Sequence, residues 1–144
     1  MADKHKNNAG SINRMREGYK LYKKGRLLVR TGDYEEAISL LRRGAEMEPH
    51  FKTFELLGEC LLALNRISVA VGPLAAATTL NRGVRAPSLL AEAFLRNEKF
   101  DDAEDFAKLA LQRDPRNKKA GDVLKKSEAN KILQSGRGKN PPHP

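Results

Sequence analysis

The chain's 144 residues leave room for one domain with a real core, but aromatics make up only 6% and tryptophan is absent, so the interior must be built mainly from leucine and alanine, which suits close-packed helices. The single cysteine, Cys60, excludes an internal disulfide and fits a reducing compartment; no apolar run is long enough to span a membrane or to follow MADKHKNNAGS as in a signal peptide. The net charge of +9 divides into +2 over residues 1–17, +2 over 18–117 and +5 over 118–144, so basic ends flank a nearly neutral body, a pattern that favours solubility over phosphate binding.

Residues 1–10 are polar and read as a disordered tail. The first helix is predicted over 12–31 and the second over 34–47, separated by the bend in RTGDYEEAI. Gly32 can take a left-handed conformation and end one helix. Asp33 can cap the next, with Glu36 completing a capping box. A second pair is predicted over 51–64 and 67–80. Gly72-Pro73 falls inside its second member, and an interior proline costs about 3 kcal/mol, so that helix either kinks or begins at Pro73. A third pair follows over 87–97 and 100–113, then a helix over 117–134. Residues 135–144, SGRGKNPPHP, read as a second disordered tail.

The three pairs repeat one pattern. Ala37, Ala70 and Ala103 are spaced by 33 residues, as are Gly25, Gly58 and Ala91, and Gly44, Ala77 and Ala110. Tyr34, Ile67 and Phe100 keep the same step, and Pro49 and Pro115 close the first and third copies where the second has Arg82. Small residues in register let the helices of a hairpin approach, and the third small site is expected to let the next hairpin stack. Leu21, Leu28, Leu41, Phe54, Leu57, Leu61, Leu74, Leu90, Phe94 and Leu109 would fill the seams. A lone hairpin would expose an apolar face, so stacking is required.

At GDYEEAISLLRRGAEMEPHF and KFDDAEDFAKLALQRDPRN the chain resembles the tetratricopeptide repeat family, over about residues 18–117. The resemblance implies an all-α solenoid of antiparallel helix pairs in a right-handed superhelix with a concave groove. Repeats are expected at about 18–50, 51–83 and 84–117 within one domain spanning 11–134. The last helix, KKAGDVLKKSEANKIL, would cap them through Ala120, Val123, Leu124 and Ser127. The family's usual period is one residue longer. Its tryptophan-like site holds Leu21, Phe54 and Pro87, and the middle copy has Asn65 where the first has Gly32.

Catalytic patterns are not found. His5, His50 and His143 lie in tails or a turn without a second ligand at metal spacing, and no histidine is placed to activate Cys60. Asp101/Asp102 and Glu35/Glu36 begin helices, where carboxylates favour the positive dipole end. No metal or cofactor and no enzymatic activity are expected.

In the family, the first helix of each pair lines the concave face. That geometry implies a partner-binding groove of Tyr19, Tyr22, Arg26, Val29 and Arg30, then Lys52, Glu55, Glu59 and Leu62, then Arg85, Ser88, Glu92, Leu95 and Arg96. Tyrosine and arginine would be the anchors. Some members clamp chaperone C-termini with lysine, asparagine and arginine. The matching positions here hold Tyr22, Arg26, Leu56, Arg85 and Leu89, with one basic match, Arg85, so no such clamp is expected. The expected function is a cytoplasmic scaffold or adaptor that binds a protein segment, peptide or helix. The alternative is a nucleic-acid- or ribosome-associated accessory protein contacting phosphates through Lys20, Lys23, Lys24, Arg26 and Arg30 with Lys118, Lys119, Lys125, Lys126 and Lys131. Against that alternative, aromatics are not interleaved with the basic residues of the tails. No membrane insertion is expected, and a homodimer through the less obviously capped N-terminal end stays open.

Overall fold

The computed structural model describes residues 3–137, with side chains from Asn8 onward. Seven helices make up the described residues, with no strand: α1 (Asp3–Thr31), α2 (Tyr34–Met47), α3 (Phe51–Ala63), α4 (Ile67–Leu80), α5 (Arg85–Arg96), α6 (Phe100–Arg113) and α7 (Lys118–Arg137). They group into two compact units, one ending at Asn81 and the other beginning at Arg82.

In the first unit, α1 pairs with α2, α3 pairs with α4, and α2 lies against α3. Small residues explain the close pairing. Ala37, Ala70 and Ala77 are fully buried. A methyl group added at Gly25 would come within 2.8 Å of Leu41 Cδ2, and one at Gly58 would overlap Leu74. Leu41, Leu61 and Leu74 fill the seams with no exposed surface, and each such burial stabilises by about 1.5–3 kcal/mol. Gly44 plays a different part from the one expected. A methyl added there would lie 3.3 Å from the carbonyl of Gly18 and 3.4 Å from Leu21 Cβ, within its own hairpin, and 3.9 Å from Thr53 of α3.

In the second unit, α5 and α6 form the hairpin and α7 covers both. Ala91, Ala103, Ala107 and Val123 make its buried cluster, with Phe94, Leu95, Phe106 and Leu124 packed against it. Ala120 and Ser127 are fully buried. The stripe expected of a covering helix is thus the face that α7 buries.

The turns inside the hairpins share one geometry. Gly32, Asn65 and Glu98, again 33 residues apart, have φ of 82°, 59° and 58°. In each turn two amides close on the preceding helix. In the first, Gly32 N–H donates to Val29 O and Asp33 N–H to Leu28 O. In the second, Asn65 donates to Leu62 O and Arg66 to Leu61 O; in the third, Glu98 donates to Leu95 O and Lys99 to Phe94 O. This is the Schellman pattern. The capping box does not form. Asp33 makes no side-chain hydrogen bond to the α2 amides, because its carboxylate accepts from Thr31 Oγ1 at 2.5 Å instead.

Two further expectations need correction, and one open alternative is resolved. Helix α1 begins at Asp3, so residues 3–10 are helical where a disordered tail was expected, and α7 continues through residues 135–137; residues 1–2 and 138–144 lie outside the described residues. Helix α4 has the expected span, Ile67–Leu80, and runs through Pro73, so of the two alternatives the start at the proline is excluded. Proline removes one ladder hydrogen bond, and burial of Ala70, Leu74 and Ala77 on either side holds the helix together.

Candidate interaction cleft

A recess of about 370 Å³ opens in the first unit between α1 and the start of α3. Helix α1 supplies Met15, Gly18, Tyr19, Tyr22 and Arg26; Glu48, His50, Lys52 and Thr53 form the facing side. The helical step of three and four places Met15, Tyr19 and Tyr22 on one face of α1. Gly18 lets the end of α2 come close, since a methyl there would lie 3.1 Å from Glu48 Cβ. His50 caps α3, its Nδ1 accepting from the Lys52 amide at 3.2 Å, and its ring stacks on Phe51. The capping histidine fixes where Lys52 and Thr53 begin.

The aromatic wall carries cations. Tyr19 and Tyr22 have ring centroids 6.4 Å apart. Lys23 Nζ sits 5.0 Å from the Tyr19 centroid, and Arg26 Cζ 5.9 Å from that of Tyr22. Such contacts hold a cation against a ring face. The recess therefore offers apolar ring edges, a thioether and several hydrogen-bond donors. That chemistry suits a peptide with apolar side chains and acceptor groups.

The second unit has a recess of about 440 Å³ between α5 and α7. Glu92, Leu95 and Arg96 line one side; Lys118, Lys119, Asp122, Val123 and Lys126 line the other. Lys119 Nζ is 2.6 Å from Glu92 Oε2, which spans the opening.

Residues 22–83 match the sequence model of the tetratricopeptide repeat. Solved structures agree in fold. The first such domain of Spaghetti (RPAP3), bound to the HSP90 peptide SRMEEVD, gives a TM-score of 0.78 at 23% identity over 81% of this chain and 94% of that one. The Arabidopsis OM64 domain gives 0.77 at 16% identity, covering 81% and 98%. This is a tetratricopeptide-repeat fold. The Yersinia enterocolitica type III secretion chaperone SycD, in complex with a peptide of the translocator YopD, is also similar, with a TM-score of 0.72 at 19% identity over 78% and 93%. No curated protein matches the chain in sequence. Tetratricopeptide-repeat domains are generally protein–protein interaction modules.

The tetratricopeptide-repeat geometry places the expected groove residues unevenly. Tyr19, Tyr22, Arg26 and Lys52 meet in the first recess, and Glu92, Leu95 and Arg96 in the second. Arg30 lies on the exposed side of α1 beside Lys23, Arg26 and Leu27. Glu55 and Glu59 are half-buried on α3, and Arg85 is exposed at the start of α5. Two residues expected in the groove are buried. Leu62 is 5% exposed because α3 is covered by α2 as well as α4. Ser88 is 3% exposed and donates to Asn117 Oδ1 at 3.1 Å. Asn117 also caps α7 by accepting from the Ala120 amide at 2.8 Å. Ser88 thus ties α5 to the start of α7. Met15, Glu48, His50 and Thr53 were not anticipated; the step from Met15 to Tyr19 was the available signal for the first.

Cys60 is fully buried. Burial, and then the charge of Glu59, push its thiol up to about 11, so it packs as a small apolar residue. Among the described residues no group of histidine, cysteine, aspartate and glutamate side chains could hold a metal ion, and no helix is long and apolar enough to cross a membrane.

Proposed function

We propose that the chain is a non-enzymatic scaffold or adaptor that binds a peptide or helix in the concave recess of its first unit. The observation that carries this reading is the convergence of Tyr19, Tyr22, Arg26 and Lys52 on one cavity large enough for side chains of a partner. The peptides seen in Spaghetti and SycD support the same mode of use on this fold.

The recess is not a clamp for chaperone C-termini. Tyr22 and Arg26 stand at two of its positions, and half-buried Leu56 and largely buried Leu89 at two others. Neither leucine can donate to a carboxylate. The peptide SRMEEVD should stay unbound in a fluorescence titration, and micromolar affinity would contradict this assignment.

An array of short synthetic peptides tests the reading as a whole. The full chain should capture a restricted set, and Tyr22→Ala and Lys52→Glu should each lose that set. Capture unchanged by both substitutions would remove the recess from the account. The competing reading, phosphate binding through the basic residues of α1 and α7, predicts instead a steep loss of binding with salt and no dependence on Tyr22.

A further inference from the structure

Helix α1 is about twice as long as the helix it pairs with, 29 residues against the 14 of α2. Close packing ends where Gly18 passes Glu48, the C-cap of α2; before it only Arg14 still ties back, its guanidinium donating to Glu46 O at 3.3 Å. Residues 3–17 continue beyond that point, about 22 Å of helix at 1.5 Å per residue. Every described side chain from Asn8 to Glu17 is exposed. A free helix of this length is marginal in water, and Asn8 and Gly10 are weak helix formers. A partner laid along this arm would stabilise it.

The arm carries its own apolar line. Ile12, Met15 and Tyr19 are 48%, 50% and 61% exposed and share a face. The line runs directly into the recess, which Met15, Tyr19 and Tyr22 also line. Its surroundings are mainly basic, with Glu48 the one carboxylate in the recess lining. Residues 11–31 hold seven lysines and arginines and one glutamate. At 100° per residue, Arg16, Lys20 and Lys23 fall beside the line on the side away from α2, and Lys52 stands on the opposite bank of the recess.

Charge decides the occupant. A second copy would bring a nearly neutral body between basic ends, with no net negative charge to match this face. Nucleic acid would use the tyrosine faces for stacking, but Lys23 and Arg26 already cover them, and phosphates have no use for Ile12 and Met15. A membrane surface cannot follow the line into a recess. We infer that the arm and the recess together dock an acidic amphipathic helix of a partner protein, its apolar ridge on Ile12, Met15 and Tyr19 and its carboxylates toward Arg16, Lys23 and Lys52. This rests on the recess being a binding site, as proposed above.

Fluorescence anisotropy on the full chain tests it with three labelled peptides about 20 residues long, enough to lie along arm and recess: a Glu/Leu amphipathic helix, the same helix with Gln for Glu, and oligo-glutamate. The Glu/Leu helix should bind, and the other two should be weaker by about tenfold or more. Ile12→Ser combined with Arg16→Glu, both outside the recess lining, should weaken the Glu/Leu helix by about tenfold while leaving capture of the short array peptides intact; far-UV circular dichroism checks that the variant remains folded. Equal binding of oligo-glutamate, indifference to the arm substitutions, or a preference for phosphatidylserine vesicles or duplex DNA would overturn the inference. If the array peptides still depend on Tyr22 but the Glu/Leu helix does not bind, the arm inference falls and the recess reading stands. If the array peptides ignore Tyr22 and Lys52, both fall.

Discussion

Gly58 of α3 lies directly against Leu74 of α4, so closely that a methyl group on the glycine would overlap the leucine's branch carbon and one of its δ carbons. Leu41 meets Gly25 in the same way one repeat earlier, and one repeat later the two positions are Ala91 and Ala107, both buried in one cluster. Glycine faces leucine twice, and alanine is matched with alanine once. The seam volume is shared differently, but the register is the same.

A double-mutant cycle follows from this trade. Leu74 is fully buried and cannot swing aside. Gly58→Ala should destabilise by about 1–3 kcal/mol through overpacking, beyond any gain in helix propensity. Leu74→Ala should cost about 2–5 kcal/mol through the cavity it leaves. The pair together, which copies Ala91 and Ala107, should be less destabilised than the sum by about 0.5–3 kcal/mol. Urea unfolding of the four proteins measures the coupling, and strict additivity would mean that the two residues do not meet.

Glu98 occupies the left-handed position that Gly32 fills in the first turn, with φ of 58°. A side chain there costs roughly 1–2 kcal/mol relative to glycine. Glu98 is exposed and its carboxylate is not needed for the turn, which closes through backbone amides. Glu98→Gly should therefore raise stability by about 1 kcal/mol, read as a higher urea midpoint with unchanged slope; a lower midpoint would show that the side chain contributes more than its strain removes.

Ser127 of α7 is fully buried, and its hydroxyl has no hydrogen-bond partner among the described residues. An unsatisfied buried hydroxyl costs about 1–3 kcal/mol. Ser127→Ala should stabilise the second unit by about 1 kcal/mol, seen in thermal melts of the full chain. A destabilised variant would place a partner on that hydroxyl.

The α6–α7 contact should respond to acid. Lys108 and Lys131 bond to opposite oxygens of Glu104 at 2.6 and 2.9 Å, and Lys131 also reaches Asp101 at 2.8 Å. Hydrogen bonds from Lys108 first, then Lys131, hold Glu104 at about 2, below its usual 4.5. A depressed carboxyl stabilises the fold above its unfolded value and loses that contribution as pH falls through the folded one. Bonds to Asp101 and Glu104 raise Lys131, so its contribution is present below the usual 10.5 and is lost only as pH rises beyond it. Stability should thus decline between pH 4.5 and about 2, and Glu104→Gln should flatten that limb of the circular-dichroism titration; an unchanged limb would assign acid unfolding elsewhere.

The spacing of small residues made most of the helices legible, because a buried alanine or glycine can recur at one step only if helices cross there repeatedly. The first turn was legible through Gly32; Asn65 read as a departure from that pattern and Glu98 gave no turn signal, although both share its conformation. The arm was not. Asn8, Gly10 and Ser11 carry no apolar period, so nothing local announces a helix before Ile12. Asp33 looked like a cap because the competing Thr31 hydroxyl is invisible to a spacing rule. On the candidate site, α1 yielded Tyr19, Tyr22 and Arg26, since the family resemblance implies that the first helix of each pair lines the concave face. Leu62 and Ser88 were misplaced because α3 and α5 each contact more than their hairpin partner, so a face that counts as outer in one hairpin is covered by the next helix.

The most direct test of the account is an amide chemical-shift map of the isotope-labelled full chain titrated with the tightest peptide from the array. Nested small residues leave the recess between α1 and α3 open, so the largest shifts should fall at Tyr19, Tyr22, Arg26, Lys52 and Thr53. Shifts concentrated on the outward faces of α2 and α4, with these five unmoved, would contradict the central claim.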